Sequence, residues 1–169
     1  MPQAGTPCDV EGASCGPNCE LEIVCEGGLW VWREGNCPIC AAPDTPIATP
    51  TGERAIAELH EGDLVYSVEH GAIVAVPIVR TGSTRVIRHQ VVRVTLATGQ
   101  VIEMSPGHPT ADGRTFAELS AGELLDPQSA ILQTALVPYA HDRTYDILPG
   151  SSSGVYFAAG AMVGSTLVK

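Results

Sequence analysis

The chain has 169 residues, 44% of them hydrophobic and 17% charged, with a net charge of −10. That length supports one hydrophobic core and a small appendage, and the composition is globular rather than disordered. The acidic balance argues against a nucleic-acid partner, and no stretch approaches the roughly 20 apolar residues of a membrane span.

The opening residues, Met1-Pro2-Gln3-Ala4-Gly5, lack the basic-then-apolar pattern of an export signal. The cysteines nevertheless point to an oxidising compartment. Cys8, Cys15, Cys19, Cys25 and Cys37 all fall within residues 1–39, a segment too short to fold on apolar burial alone. Disulfides are therefore expected there, in a secreted or cell-envelope setting, with the chain as part of a longer precursor. A zinc site built from Cys15-x3-Cys19 and Cys37-x2-Cys40 is the lesser alternative; no other cofactor is expected. Leu29-Trp30-Val31-Trp32 predicts a short strand whose tryptophans supply the local core. The run from Cys25 through Trp30 to Cys37-Pro38 resembles small cysteine-rich modules of bacterial secreted proteins.

Residues 40–169 differ in character. Alternating β-branched runs at 64–68, 72–76 and 91–96 predict strands. Ala97-Thr98-Gly99-Gln100 predicts a hairpin turn. The expectation is an all-β domain with one or two short helical turns. A repeat is also visible. Arg54-Ala55-Ile56-Ala57-Glu58-Leu59-His60-Glu61-Gly62-Asp63-Leu64-Val65 aligns with Arg114-Thr115-Phe116-Ala117-Glu118-Leu119-Ser120-Ala121-Gly122-Glu123-Leu124-Leu125. Two copies are too few for a solenoid and predict one domain with an internal pseudo-two-fold.

Four residues carry candidate chemistry. Cys40 opens the cysteine-free run. Ser105-Pro106-Gly107-His108 sets a hydroxyl three residues before an imidazole. Asp146 interrupts an apolar strand, Thr144–Leu148, where an unpaired carboxylate is costly. The run from Tyr156 to Thr166 reads as an apolar hairpin. His60, His70, His89 and His141 read as structural or solvated, and Asp146 could instead cap a turn or pair with Arg143.

Taken together, these segments resemble the Hint superfamily, the self-processing domains of inteins and hedgehog C-terminal regions. The resemblance rests on Cys40 with Thr45-Pro46-Ile47, on Ile56-x-x-Leu59-x-x-Gly62-Asp63-x-Val65, on Ser105-x-x-His108, and on Tyr145-Asp146 followed by the hairpin. It implies a horseshoe-like β fold over 40–169 and a bacterial intein-like domain. It further implies an N–S acyl shift at Ile39–Cys40. Cys40 would be the nucleophile and His108 the acid for the leaving nitrogen. Ser105 would orient His108 or hold the scissile amide, and Asp146 would deprotonate Cys40 or protonate the nitrogen by relay. One departure matters. Inteins end in His-Asn before a Cys, Ser or Thr; here Gly164 and Ser165 precede Thr166, so no asparagine can cyclise. Single-turnover release of residues 1–39 to water or a small thiol is implied, by a monomer, without splicing. The alternatives are a silent Hint-fold module, a disulfide-rich binding module on a β scaffold, and a thiol hydrolase acting in trans.

The cysteines also bear on control. Cys37-x-x-Cys40 has the spacing of a reversible disulfide, which would latch the nucleophile until reduced. Otherwise Cys37 pairs with Cys25 or Cys15, and Cys40 stays free. Cys8 is the expected odd cysteine in the latter case.

Overall fold

The computed structural model describes residues 3–9, 11, 14–15, 21–34 and 40–168. The N-terminal segment contains β1 (Ser14–Cys15), β2 (Leu21–Glu26) and β3 (Leu29–Glu34), an antiparallel sheet in that order. Gly27 and Gly28 join β2 to β3 with φ of +57° and +79°, the two-residue turn whose twist suits a hairpin and which glycine adopts without strain. A disulfide joins Cys8 to Cys25. Cys8 is therefore not the odd cysteine, and Cys25 is not available to Cys37. The expected tryptophan core is corrected too. Ile23 and Cys25 are fully buried, whereas Trp32 is 49% exposed and Trp30 half-buried. Register explains this: Trp32 lies opposite Ile23 and Trp30 opposite Cys25, so the indoles share that face and flank the disulfide rather than replace it.

The remaining elements are β4 (Pro46–Thr49), β5 (Gly52–Ala55), β6 (Leu64–Glu69), β7 (Ala72–Arg85), β8 (Gln90–Leu96), β9 (Val101–Met104), β10 (Leu124–Asp126), β11 (Ser129–Pro138), β12 (Arg143–Pro149), β13 (Val155–Ala158) and β14 (Ala161–Gly164). Two 3-10 turns, Ile56–Glu58 and Phe116–Glu118, are the only helical pieces among the described residues. Seven strands run β12-β7-β6-β13-β4-β5 with β14 on β13, and four run β10-β11-β8-β9. The core joins both sheets and includes Ile47, Ile56, Val65, Ile102, Met104, Phe116, Ile131, Ile147, Tyr156 and Val163.

The repeat is structural. Leu59 N–H donates to Ile56 C=O at 3.2 Å, and Leu119 N–H to Phe116 C=O at 3.3 Å. Gly62 N–H donates to Ile78 C=O and Gly122 N–H to Ile131 C=O, both at 2.9 Å. Asp63 caps the His60 amide and Glu123 the Ser120 amide, again both at 2.9 Å. The correspondence extends upstream of the aligned sequence. Thr45 N–H donates to Ala42 C=O, and His108 N–H to Ser105 C=O, each at 3.0 Å. The same turn thus follows Cys40 in one half and presents Ser105 and His108 in the other.

Candidate active site

Ala41 forms single antiparallel bridges to both Met104 and Tyr145. Ala41 N–H donates to Tyr145 C=O at 2.8 Å, and Tyr145 N–H returns to Ala41 C=O at 3.0 Å. One residue back along the chain, antiparallel geometry places Cys40 opposite the residues after those partners, Ser105 and Asp146. All three are buried, and so is His108.

Ser105 grips the Cys40 backbone. Cys40 N–H donates to Ser105 Oγ at 3.2 Å, and Ser105 Oγ–H donates to Cys40 C=O at 3.1 Å. Ser105 N–H also donates to Cys40 C=O at 3.2 Å. The Cys40 amide nitrogen belongs to the Ile39–Cys40 peptide bond, so Ser105 sits on that bond's nitrogen end. His108 occupies the end of the same turn, with its ring edge-on to Phe116 and Tyr156 at 5.9 and 6.5 Å. Its Nε2 lies 3.5 Å from Tyr156 Oη.

Asp146 is an acceptor for five donors. Ile147 N–H and Tyr156 Oη–H reach Oδ1 at 2.8 and 2.9 Å. Thr166 N–H, Thr166 Oγ1–H and Ser165 Oγ–H reach Oδ2 at 2.7, 2.6 and 3.4 Å. This satisfaction is what permits a carboxylate 1% exposed. It also brings the C-terminal tail onto the site. Gly82, opposite Asp146 in β7, makes room there: a Cβ on it would stand 3.0 Å from Leu167 Cδ2. On the other side Gly164 N–H donates to Pro109 C=O at 3.0 Å, tying β14 to the His108 turn.

The Cys40 sulfur is a free thiol. Burial, then the charge of Asp146, push its pKa from 9.0 up to about 12, while the hydroxyls of Thr144 and Thr166 against the sulfur pull the other way. Cys40, Ser105, His108 and Asp146 therefore meet, and the tail joins them. Ile39, Cys19 and Cys37 and the Cys15 side chain lie outside the described residues. Of the two expected arrangements for Cys40, this structure has the unlatched one. Among the described residues no group of three or more His, Cys, Asp or Glu could hold a metal, although three of the four cysteines of the zinc alternative fall outside that description.

A protein-family profile described as the Hint domain matches residues 39–109. The chain has the Hint fold. Solved structures agree on the fold. A bacterial intein-like domain from Clostridium thermocellum is 20% identical, with a TM-score of 0.60 over 76% of this chain and 97% of that one. A DnaB intein from Synechocystis sp. PCC 6803 is 14% identical, with 0.61 over 76% and 99%. The gp41-1 intein is 19% identical, with 0.59 over 74% and 97%. No curated protein matches the chain. The sequence did not single out Thr144, Thr166, Tyr156 or His89 in this Hint domain. Thr166 was visible only as the residue after the missing asparagine. His89 was read as structural, yet its Nε2 lies 2.8 Å from Ser105 Oγ. Extending the β8–β9 register, Val92 opposite Met104, puts Ser105 across from Val91 and makes His89 a diagonal neighbour, the signal that could have found it.

Proposed function

We propose that the Hint domain cleaves its own chain at Ile39–Cys40 by an N–S acyl shift, releasing residues 1–39 without splicing. Hint and intein-like domains are a self-processing class, and this site has the parts for the first step alone. The observation that carries the reading is the grip on Cys40. Ser105 holds both its amide nitrogen and its carbonyl, while the thiol lies against Thr166 and Asp146.

The thiol proton passes to Thr166 Oγ1 as that hydroxyl gives its own to Asp146, 2.6 Å away. Cys40 Sγ then bonds to the Ile39 carbonyl carbon, giving a tetrahedral adduct. The carbon–nitrogen bond breaks, its electron pair goes to the Cys40 nitrogen, and that nitrogen takes a proton. Ser105 stands on that nitrogen, and His108 ends the same turn as the second acid of the site. Water or a small thiol attacks the resulting thioester and expels Cys40 Sγ. The domain acts in cis, once, as a monomer and without a cofactor. The Cys8–Cys25 disulfide supports a secreted or cell-envelope setting.

A second reading is a silent Hint module. A thiol held neutral up to about 12 favours it. Intact mass after incubation with hydroxylamine or dithiothreitol separates the two. The cleaving domain yields fragments 1–39 and 40–169, and Cys40→Ala yields none. An unchanged parent mass, or equal cleavage by Cys40→Ala, ends the autoprocessing reading.

A further inference from the structure

The histidines outside the Hint motif are not alike. His60, His70 and His141 are exposed. His89 is half-buried between β7 and β8, directly after Arg88, a non-glycine residue at φ +51°. That conformation is uncommon and strained unless the surroundings hold it. Here they do. Tyr139 N–H donates to His89 C=O at 2.9 Å, and the two rings meet edge-on at 5.5 Å and 84°. Tyr139 is in turn fixed by its Oη–H donating to Arg143 C=O at 2.7 Å. The imidazole is thus clamped, with Nε2 aimed at Ser105 Oγ.

A serine hydroxyl has one proton to give and two lone pairs to accept with. Three groups surround Ser105 Oγ: Cys40 N–H at 3.2 Å, Cys40 C=O at 3.1 Å and His89 Nε2 at 2.8 Å. One proton cannot serve both Cys40 C=O and Nε2. All three contacts are satisfied when Nε2 carries a proton: Nε2–H donates to Oγ, Oγ–H to Cys40 C=O, and Cys40 N–H to Oγ.

We propose that His89 is a positioning residue for the acyl shift, one that supplies, through Ser105 Oγ, the proton taken up by the Cys40 nitrogen. This rests on the autoprocessing reading above. As the Ile39–Cys40 bond breaks and its electron pair goes to nitrogen, Oγ–H turns from Cys40 C=O to that nitrogen and gives its proton. Nε2–H gives its proton to Oγ, and the imidazolium becomes imidazole. The thiol proton has meanwhile gone to Asp146, and solvent returns the balance to His89.

The titratable groups facing this imidazole are Tyr139, with His141 edge-on behind it at 5.2 Å, and Cys40 across Ser105. Tyr139 is held well above its ordinary value by burial, then by Asp44 and other neighbours, and stays neutral in the working range. Burial lowers the His89 pKa from 6.5, which makes the imidazolium a stronger and scarcer acid. The thiol proton stays within the site on Asp146, so between about pH 7 and 9 the parent rate falls about tenfold per unit as imidazolium is lost.

The experiment measures fragment 40–169 by intact mass across that range for the parent, His89→Gln, His89→Ala and Cys40→Ala, with circular dichroism as the folding check. His89→Ala is expected to slow cleavage about 100-fold, with imidazole in the buffer restoring much of it. His89→Gln keeps a donor for Ser105 but cannot titrate, so its slower rate should be flat across that range. If His89→Ala fails to fold, His89→Gln carries the comparison alone. A parent that cleaves while His89→Gln keeps its rate and its falling profile overturns this proposal only. A slowed His89→Ala that keeps the parent's falling profile and shows no imidazole rescue also overturns it, since that is a packing effect. A parent that never cleaves removes the autoprocessing reading, and this proposal with it.

Discussion

The two halves of the Hint domain use one backbone plan for different tasks. Ala42-Pro43-Asp44-Thr45 and Ser105-Pro106-Gly107-His108 make the same turn, closed at the same 3.0 Å. Each turn is followed by a 3-10 turn whose first amide binds back to it. Ile56 N–H donates to Thr45 C=O at 2.9 Å and Phe116 N–H to His108 C=O at 3.0 Å. The first half spends this turn on holding the strand of Cys40, with Ala42 and Thr45 at its two ends. The second places a hydroxyl and an imidazole at the equivalent positions. Function here is a difference of two side chains on a shared scaffold.

That comparison can be broken at several depths. At its extreme, His108→Ala should slow cleavage about 100-fold or more, whereas Thr45→Ala should leave the rate near the parent's. Fragment yield over time measures both, and equal slowing would sink the division of labour. Next comes the core beneath each turn. Phe116 and Ile56 are 0% and 2% exposed, and truncation to Ala should cost about 3–5 and about 2–5 kcal/mol respectively. Denaturant midpoints give the cost. Only the Phe116 change should also slow cleavage once stability is matched, because Phe116 packs on the His108 ring.

Cys40 marks the nucleophile's half by its titration. The unfolded chain gives up this proton near 9.0 and the folded protein near 12. The folded state therefore binds one more proton between those values, so stability falls as pH rises through that window. The slope is at most about 1.4 kcal/mol per unit. Cys40→Ala should show a shallower decline in unfolding free energy between about pH 9 and 11.

Two equivalent glycines test the symmetry itself. Gly62 and Gly122 have φ of +92° and +88°, and an added Cβ at either meets nothing within 4 Å. Substitution by Ala should cost only backbone strain, about 1–2 kcal/mol, and nearly the same at both. Thermal melts that differ by more than their scatter would show hidden asymmetry. The smallest effect belongs to Asp63→Asn against Glu123→Gln. Both caps sit on exposed surface beside an arginine, where ion pairs contribute little, and the two melts should barely separate.

Much of this was legible in sequence, for physical reasons. Alternation along β6 and β8, the Ala97–Gln100 turn and the repeated Gly-acidic-Leu segments are local rules. Cys40, Ser105, His108 and Asp146 could be singled out because their motifs are local too. What was hidden depends on pairing between distant segments. β7 runs fourteen residues, Ala72–Arg85, past the alternating 72–76 stretch, because β12 pairs with its far end. Thr166 reads as a tail residue until Asp146 gathers it in. His89 reads as a polar turn between Arg88 and Gln90, and its meaning comes only from Ser105 across a hairpin. The tryptophans of β3 misled because the disulfide supplied a core that composition could not locate.

The placement of β13 sets a clock. Ala158 pairs with Ile47 and Tyr156 with Ser67, so the sheet that carries the first half closes on a strand made near the end of synthesis. Asp146 draws donors from Tyr156, Ser165 and Thr166, all made after it. An emerging chain presents its N-terminal segment early, yet the acceptor for the Cys40 proton stays incomplete until nearly every residue is out. Nascent chains arrested before Val155 should therefore keep the Ile39–Cys40 bond intact, and those extended beyond the tail should lose it. On the autoprocessing reading, scission would signal that residues 40–166 have been made and that the two ends of this stretch have met.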